Sequence, residues 1–307
     1  MRTLRFSLIL LSVLVPMGSR LSGLRADTVR LKPAADTSLF EQEPANNLGA
    51  TTDLPAGTTN KGKRARLLLQ FDIAGSIPSG AILNSATLTL TVTASGGVDS
   101  TFGLYRVLQS WGEGAKSGNQ GATATDLEAT WDARFVPSQA WTAPGGTAGQ
   151  DFDSTASASL PLGGPGAYVF VSNVSLVSDI ALWLRAPPTN FGWILVGGAE
   201  ATAATAKRIA SRENTGKAPL LVVDYTLPPP APRIDAITRS AGEVRIHFAG
   251  EAGKLYSVEF KDGLSGDPWS TLSQVASKFL PTNYVVPDVG PFSRQRFYRV
   301  GLIGDVD

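Results

Sequence analysis

The chain has 307 residues, 43% of them hydrophobic, and a formal net charge of +1 at pH 7. This length fits two domains, or one large all-β domain with an appendage, and the even charge argues against a general nucleic-acid binder, which needs a broadly basic surface. The lack of cysteine excludes a disulfide framework, a thiolate nucleophile and a cysteine-held metal.

Arg2 and Arg5 precede an apolar stretch at 6–15, which Pro16 and Gly18 break before Ala26 offers a small residue at a cut. The run is short for a bilayer span, so residues 1–26 read as an export signal and the protein as secreted, extracellular or periplasmic. No other apolar stretch reaches spanning length, and no membrane span is expected. The first 26 residues hold four arginines and no acid, so the remainder carries −3.

Residues 27–227 form the first expected domain. In ATLTLTVT, Leu88, Leu90 and Val92 face one way and the intervening threonines the other, a strand period. RARLLLQFDI alternates too, with Ala65, Leu67, Leu69, Phe71 and Ile73 on one face and Arg64, Arg66, Leu68, Gln70 and Asp72 on the other. Further strands are expected at 168–171, 192–197 and 219–225, and one short helix at 178–185, with Ser178 as N-cap and Pro187 discouraging its continuation. Short strands and turn-rich joints predict an all-β fold, an antiparallel, jelly-roll-like β-sandwich.

Residues 228–232 contain four prolines and read as an extended linker. Beyond it, 233–303 predicts a second, smaller β-sandwich: in VRIHF, Val244, Ile246 and Phe248 face inward while Arg245 and His247 face out.

Little in the chain suggests catalysis. His247 is the single histidine, on an exposed strand face, and no nucleophile elbow, phosphate loop or zinc-protease motif occurs. Acids between 111 and 153, among them Glu113, Glu128 and Asp151, fall in loops where sequence fixes no separation across a cleft; the protein is not expected to be an enzyme. Asp36, Asn46, Asn47 and Asp224 could hold a structural calcium, but they lack EF-hand-like spacing and ordinary Asx turns are the plainer account of such residues.

Trp111, Trp131 and Trp141 lie in the same loop-rich region. Such rings either seal a core beneath loops or present a platform to sugar rings; Trp111 and Trp131 are the candidates for the second role. The cations gather at Lys61, Lys63, Arg64 and Arg66, and again at Lys207, Arg208, Arg212 and Lys217. If both groups meet on one sheet they make a groove for a polyanion, gripped by charge-assisted hydrogen bonds.

A series of motifs gives these features a family. ADT at 26–28, the Asn47-Leu48-Gly49 turn, the basic entry to LLLQFDI, IPSGAILNSATLTL, SWGEG at 110–114, ATW at 129–131, VSDIALWLRAPPTNFGWIL at 177–195 and ASRENTGKAPLLVVDY at 210–225 together resemble the DNRLRE domain family, which overlaps carbohydrate-binding module family 96. The resemblance implies a secreted β-sandwich, often associated with cell-surface or polysaccharide-degrading proteins, whose characterised relatives bind alginate through a cationic surface. By matching position it implies ligand-binding roles for Lys61, Lys63, Arg64 and Arg66, and for Lys207 and Arg208. It also implies an architectural role for Ser211-Arg212-Glu213. Residues 115–128 depart from the pattern as an added polar segment. The tail, from Tyr256 through Trp269 to the FYRV at 297–300, resembles small immunoglobulin- or fibronectin-like domains, with Trp269 implied as a core residue.

Overall fold

The computed structural model describes residues 26–228, 230–240, 242–263, 268–293 and 295–306; residues 1–25 of the expected export signal lie outside them. The chain divides into two compact units, one containing 25–228 and the other 229–307.

The first unit is built on an antiparallel sheet that curls over on itself. From one edge the strands run Ala26–Leu31, Leu220–Thr226, Ile82–Ser95, Lys207–Ala210, Asp53–Thr58, Arg64–Gln70, Trp193–Gly197, Ser100–Arg106 and Ala158–Leu162. Gly166–Phe170 also pairs with Ile82–Ser95, and Ala35–Phe40 with Arg64–Gln70. The corner is Asp53–Thr58, whose first four residues pair with Lys207–Ala210 and whose last two pair with Arg64 and Ala65. Gly57 makes the corner feasible. Its φ is +98°, and a Cβ there would lie 3.0 Å from the Thr205 carbonyl oxygen, a conformation and a closeness that favour glycine.

The inner face is the main core. Along Ile82–Ser95, Ala86, Leu88, Leu90 and Val92 are buried, and along Arg64–Gln70 so are Ala65, Leu67 and Leu69. They join Phe71, Phe102, Phe170, Trp183 and Trp193 in one cluster. The sandwich and its strand periods are as the sequence led us to expect.

The other face of Arg64–Gln70 differs from expectation. Leu68 is fully buried there with Leu39 and Ile194, under Trp131, Trp141, Phe152, Val107 and Ala129. The loop-rich segment between 107 and 157 therefore forms a third layer with its own core. Burying a leucine this way stabilises the fold by about 1.5–3 kcal/mol, which is why Leu68 interrupts an otherwise polar face.

The helix spans Val174–Arg185 and begins four residues before the expected start. Asn173, not Ser178, caps it: its side-chain oxygen accepts the Leu176 N–H at 2.9 Å. It ends at Arg185, and Pro187–Thr189 continues as a single 3-10 turn. Leu176, Ile180 and Trp183 enter the main core. Asp179 is buried beside them, its carboxylate accepting from Ser157 Oγ at 2.5 Å and Trp193 Nε1 at 2.8 Å.

The second unit pairs Ile234–Ser240, Glu243–Gly250 and Thr282–Asp288 in one antiparallel sheet, and Ser270–Ser277, Lys254–Lys261 and Phe297–Asp305 in another. Val244, Ile246, Phe248, Tyr256, Val258 and Val286 make its core, and Arg245 faces out as expected. Trp269 stands outside that core, half-buried between the Arg299 guanidinium at 4.4 Å and the Lys261 ammonium at 5.1 Å. Its ring meets two cations and is not part of the buried cluster among the described residues, which corrects the expectation of a core tryptophan.

Candidate functional site

The sheet register brings the two cationic groups together. Lys207 pairs with Ala56 and Arg208 with Pro55, while Thr58 pairs with Arg64, so both groups flank the same corner strand. The tip between them is closed by Thr59, whose carbonyl accepts the Gly62 N–H at 3.0 Å and whose hydroxyl accepts the Lys63 N–H at 3.1 Å. The segment before Lys207 runs alongside, Ala206 N–H donating to Thr58 O at 2.9 Å.

Most of these cations already have partners. Arg66, expected at the surface, is buried, with a forked pair of bonds to Glu200 at 2.8 and 2.7 Å. Its remaining nitrogen donates to the Gly145 and Gly146 carbonyls, both at 2.8 Å. Lys207, likewise expected to meet ligand, is only 1% exposed; its ammonium donates to Ser95 Oγ at 2.8 Å and Val98 O at 2.9 Å. Burial pushes that ammonium down from its ordinary range. Both residues hold the fold, because burying a charge demands such partners.

Arg64 is intermediate. Its guanidinium forks onto Glu41 at 3.1 and 3.3 Å, and its side chain stays 38% exposed. The hydrogen bond from Arg64 holds the Glu41 carboxyl below the usual carboxylate range. Arg208 donates to the Asp53 carbonyl at 3.1 Å and to Asn119 at 2.7 and 2.6 Å. Lys61 and Lys63 are exposed and their ammonium groups form no ion pair among the described residues.

An open groove of about 260 Å³ runs beside this corner, lined by Pro55, Thr59, Asn60, Ser95, Lys207 and Arg208 among others. A neighbouring depression of about 330 Å³ shares Arg208 and is walled by Thr51, Thr52, Asp53 and residues 117–119. The added polar segment thus serves as a wall. It is held by Asn47, whose side-chain oxygen accepts the Lys116 N–H at 3.2 Å and whose amide donates to Glu113 O at 2.7 Å and Ala129 O at 2.9 Å.

The aromatic platform is not present at Trp131. That ring is 3% exposed, with Arg64 and Arg66 over it at 5.0 and 5.8 Å. Trp111 is half-buried against the same outer cluster and donates its indole N–H to Phe191 O at 2.9 Å. Both seal the third layer.

The metal candidates separate as well. Asp224 accepts hydroxyls from Thr28 at 2.6 Å and Ser85 at 2.7 Å and belongs to no cluster of three or more metal-ligating side chains among the described residues. Asn46 donates to Gln120 O. Asp36 is fully buried and lies with Glu113 and Glu213. Burial, then the charges of Glu213 and Glu113, push its carboxyl up to about 8; burial also raises Glu113.

Sequence reading had no route to Glu41 and Glu200, which lie 23 and 134 residues from the arginines they hold.

Residues 27–143 match the family model of carbohydrate-binding module family 96. The matched segment carries the corner strand, the Lys61–Lys63 tip and the walls of the second depression, and the match supports a carbohydrate-binding module there. A search of curated proteins finds no match to the chain. The family 96 match stops short of Lys207 and Arg208, which the sheet register alone brings to the corner. No described helix is long and apolar enough to cross a membrane.

Proposed function

We propose that this protein is an exported, non-catalytic module that binds an acidic, uronate-type polysaccharide such as alginate. The ligand lies along the corner groove, with Lys61 and Lys63 at one end and Arg208 in its wall. Arg64 contributes from its exposed side. The observation that carries this reading is that two exposed lysines stand in the tip that follows Asn60, which with Arg208 lines the groove, within and beside the family-matched segment. Lysine and arginine meet carboxylates through charge-assisted hydrogen bonds, and exposed contacts of this kind weaken as salt screens them.

A second reading has its own support. Arg66 and Lys207 are consumed by the fold, and Arg64 is shared with Glu41. That leaves a modest free cationic surface and favours a structural or adhesive cell-surface module without a specific glycan.

Affinity electrophoresis separates the two. Under the first reading, alginate and pectin retard the protein at low salt, a neutral glucan does not, and high salt abolishes the effect. Replacing Lys61 and Lys63 with alanine together weakens retention roughly tenfold, as expected for two exposed contacts of about 0.5–1 kcal/mol each. No retardation by any glycan would leave the structural reading standing. Unsaturated or reducing ends released from the polymer would show instead that the module is catalytic.

A further inference from the structure

The carboxylates of Asp36, Glu113 and Glu213 converge from three remote parts of the first unit. One oxygen from each lies within 4.8 Å of the other two. Asp36 sits in the strand Ala35–Phe40 and is fully buried. Glu113 and Glu213 come from loops and are half-buried.

The hydrogen bonds around the cluster account for all but one of its oxygens. Asp36 Oδ2 accepts the Arg212 backbone N–H at 2.8 Å. Glu113 Oε1 accepts the Asp36 backbone N–H at 2.8 Å and faces Arg212 Nε at 2.6 Å, while its Oε2 accepts Arg212 Nη2 at 2.9 Å. Glu213 Oε1 lies 3.0 Å from Arg212 Nε, and its Oε2 accepts the Ser211 hydroxyl at 2.9 Å. Asp36 Oδ1 alone is buried with no partner, and a buried carboxylate oxygen without a partner is costly.

Charge points the same way. With all three ionised, as ligation of a cation requires, the carboxylates exceed the one guanidinium by two negative charges, which one divalent cation would neutralise. All the available donors are oxygens, the set that suits hard cations over zinc or copper.

We propose that Asp36, Glu113 and Glu213 form a calcium site that staples the strand Ala35–Phe40 to the loops carrying Glu113 and Glu213. Two of the three carboxylates are fixed through backbone amides, so the cage does not easily contract to the short, octahedral geometry that magnesium demands; calcium accepts longer and less regular oxygen shells. The site is separate from the corner groove and does not depend on glycan binding.

The test is isothermal titration of the full-length protein, stripped with EDTA, against calcium chloride and magnesium chloride, with melting temperature followed in parallel. Calcium should bind with a stoichiometry of one and raise the melting temperature; magnesium should do less of both. Asp36→Asn and Glu213→Gln should each weaken calcium about tenfold or more, and Asp224→Asn should leave it unchanged. The proposal is overturned if the wild type shows neither heat nor a thermal shift with calcium, if magnesium matches calcium, or if both cluster variants bind as wild type does. Should Asp36→Asn fail to fold, Glu213→Gln and the wild-type titration still decide.

Discussion

Lysine and arginine side chains a few residues apart in this chain divide sharply between surface and interior. Arg66 is three residues from the exposed Lys63, yet it is locked between Glu200, two carbonyls and the Trp131 ring. Arg66→Ala should therefore destabilise the first unit by about 3 kcal/mol, the low end for breaking a buried pair, since Glu200 keeps some access to solvent. Lys63→Ala should stay within about 0.5 kcal/mol of wild type, as surface changes do. Urea unfolding followed by tryptophan fluorescence measures both, and equal effects would mean that Arg66 is not a structural residue. The cationic run at 61–66 was legible in the sequence, and its division was not. Pairing with Glu41 and Glu200 is settled by chain reversals that no local pattern encodes. The same holds for Trp131, whose cover is a loop layer without periodicity; only Leu68, an apolar residue among polar neighbours, hinted at it.

At the scale of elements, alternation carried the strands, because a two-residue period survives wherever one face is buried. The helix start was less clear: Val174, Ser175 and Ser178 show no apolar stripe, and the cap at Asn173 was the available signal. Asn173→Ala should cost about 1 kcal/mol, the usual loss for an N-cap. Ser178→Ala, exposed within the helix, should change stability by less than about 0.5 kcal/mol. Thermal melts that rank Ser178 above Asn173 would restore the later start. The helix also carries a titrating anchor. Burial raises the Asp179 carboxyl above its ordinary range, against the lowering effect of its bonds from Ser157 and Trp193 and the nearby Arg106, and with Asp153 adding to the rise. The folded state thus holds the Asp179 proton after the unfolded chain has released it. This contribution is present below the ordinary carboxylate pKa and is lost as pH rises through the folded value. Relative to Asp179→Asn, which has no proton to lose, the wild type should lose stability as pH climbs out of the acid range. A constant difference between the two melting curves across that range would show that Asp179 does not titrate abnormally.

For the whole molecule, the family match and the fold unit do not coincide. The match ends at 143, but the sheet order interleaves later strands with earlier ones. Lys207–Ala210 pairs on both sides with strands inside the match, Trp193–Gly197 lies between Arg64–Gln70 and Ser100–Arg106, and Leu220–Thr226 joins Ala26–Leu31 to Ile82–Ser95. Removing everything after 143 would strip one or both partners from most of the remaining strands and uncover Leu88, Leu90 and Leu67. It would also remove Glu200, Gly145, Gly146 and Arg212, leaving the Arg66 guanidinium and the Asp36 carboxylate without their hydrogen-bond partners. A fragment of residues 27–143 should therefore not fold, whereas residues 26–228 should fold as a unit with one cooperative transition. By contrast the second unit, with its own core, should melt independently, so the full-length protein should show two calorimetric transitions. Residues 26–228 should also keep whatever glycan retention the full chain has, because the corner groove is built wholly within them. Retention that required residues 229–307 would move the binding surface off the corner strand and into the second unit.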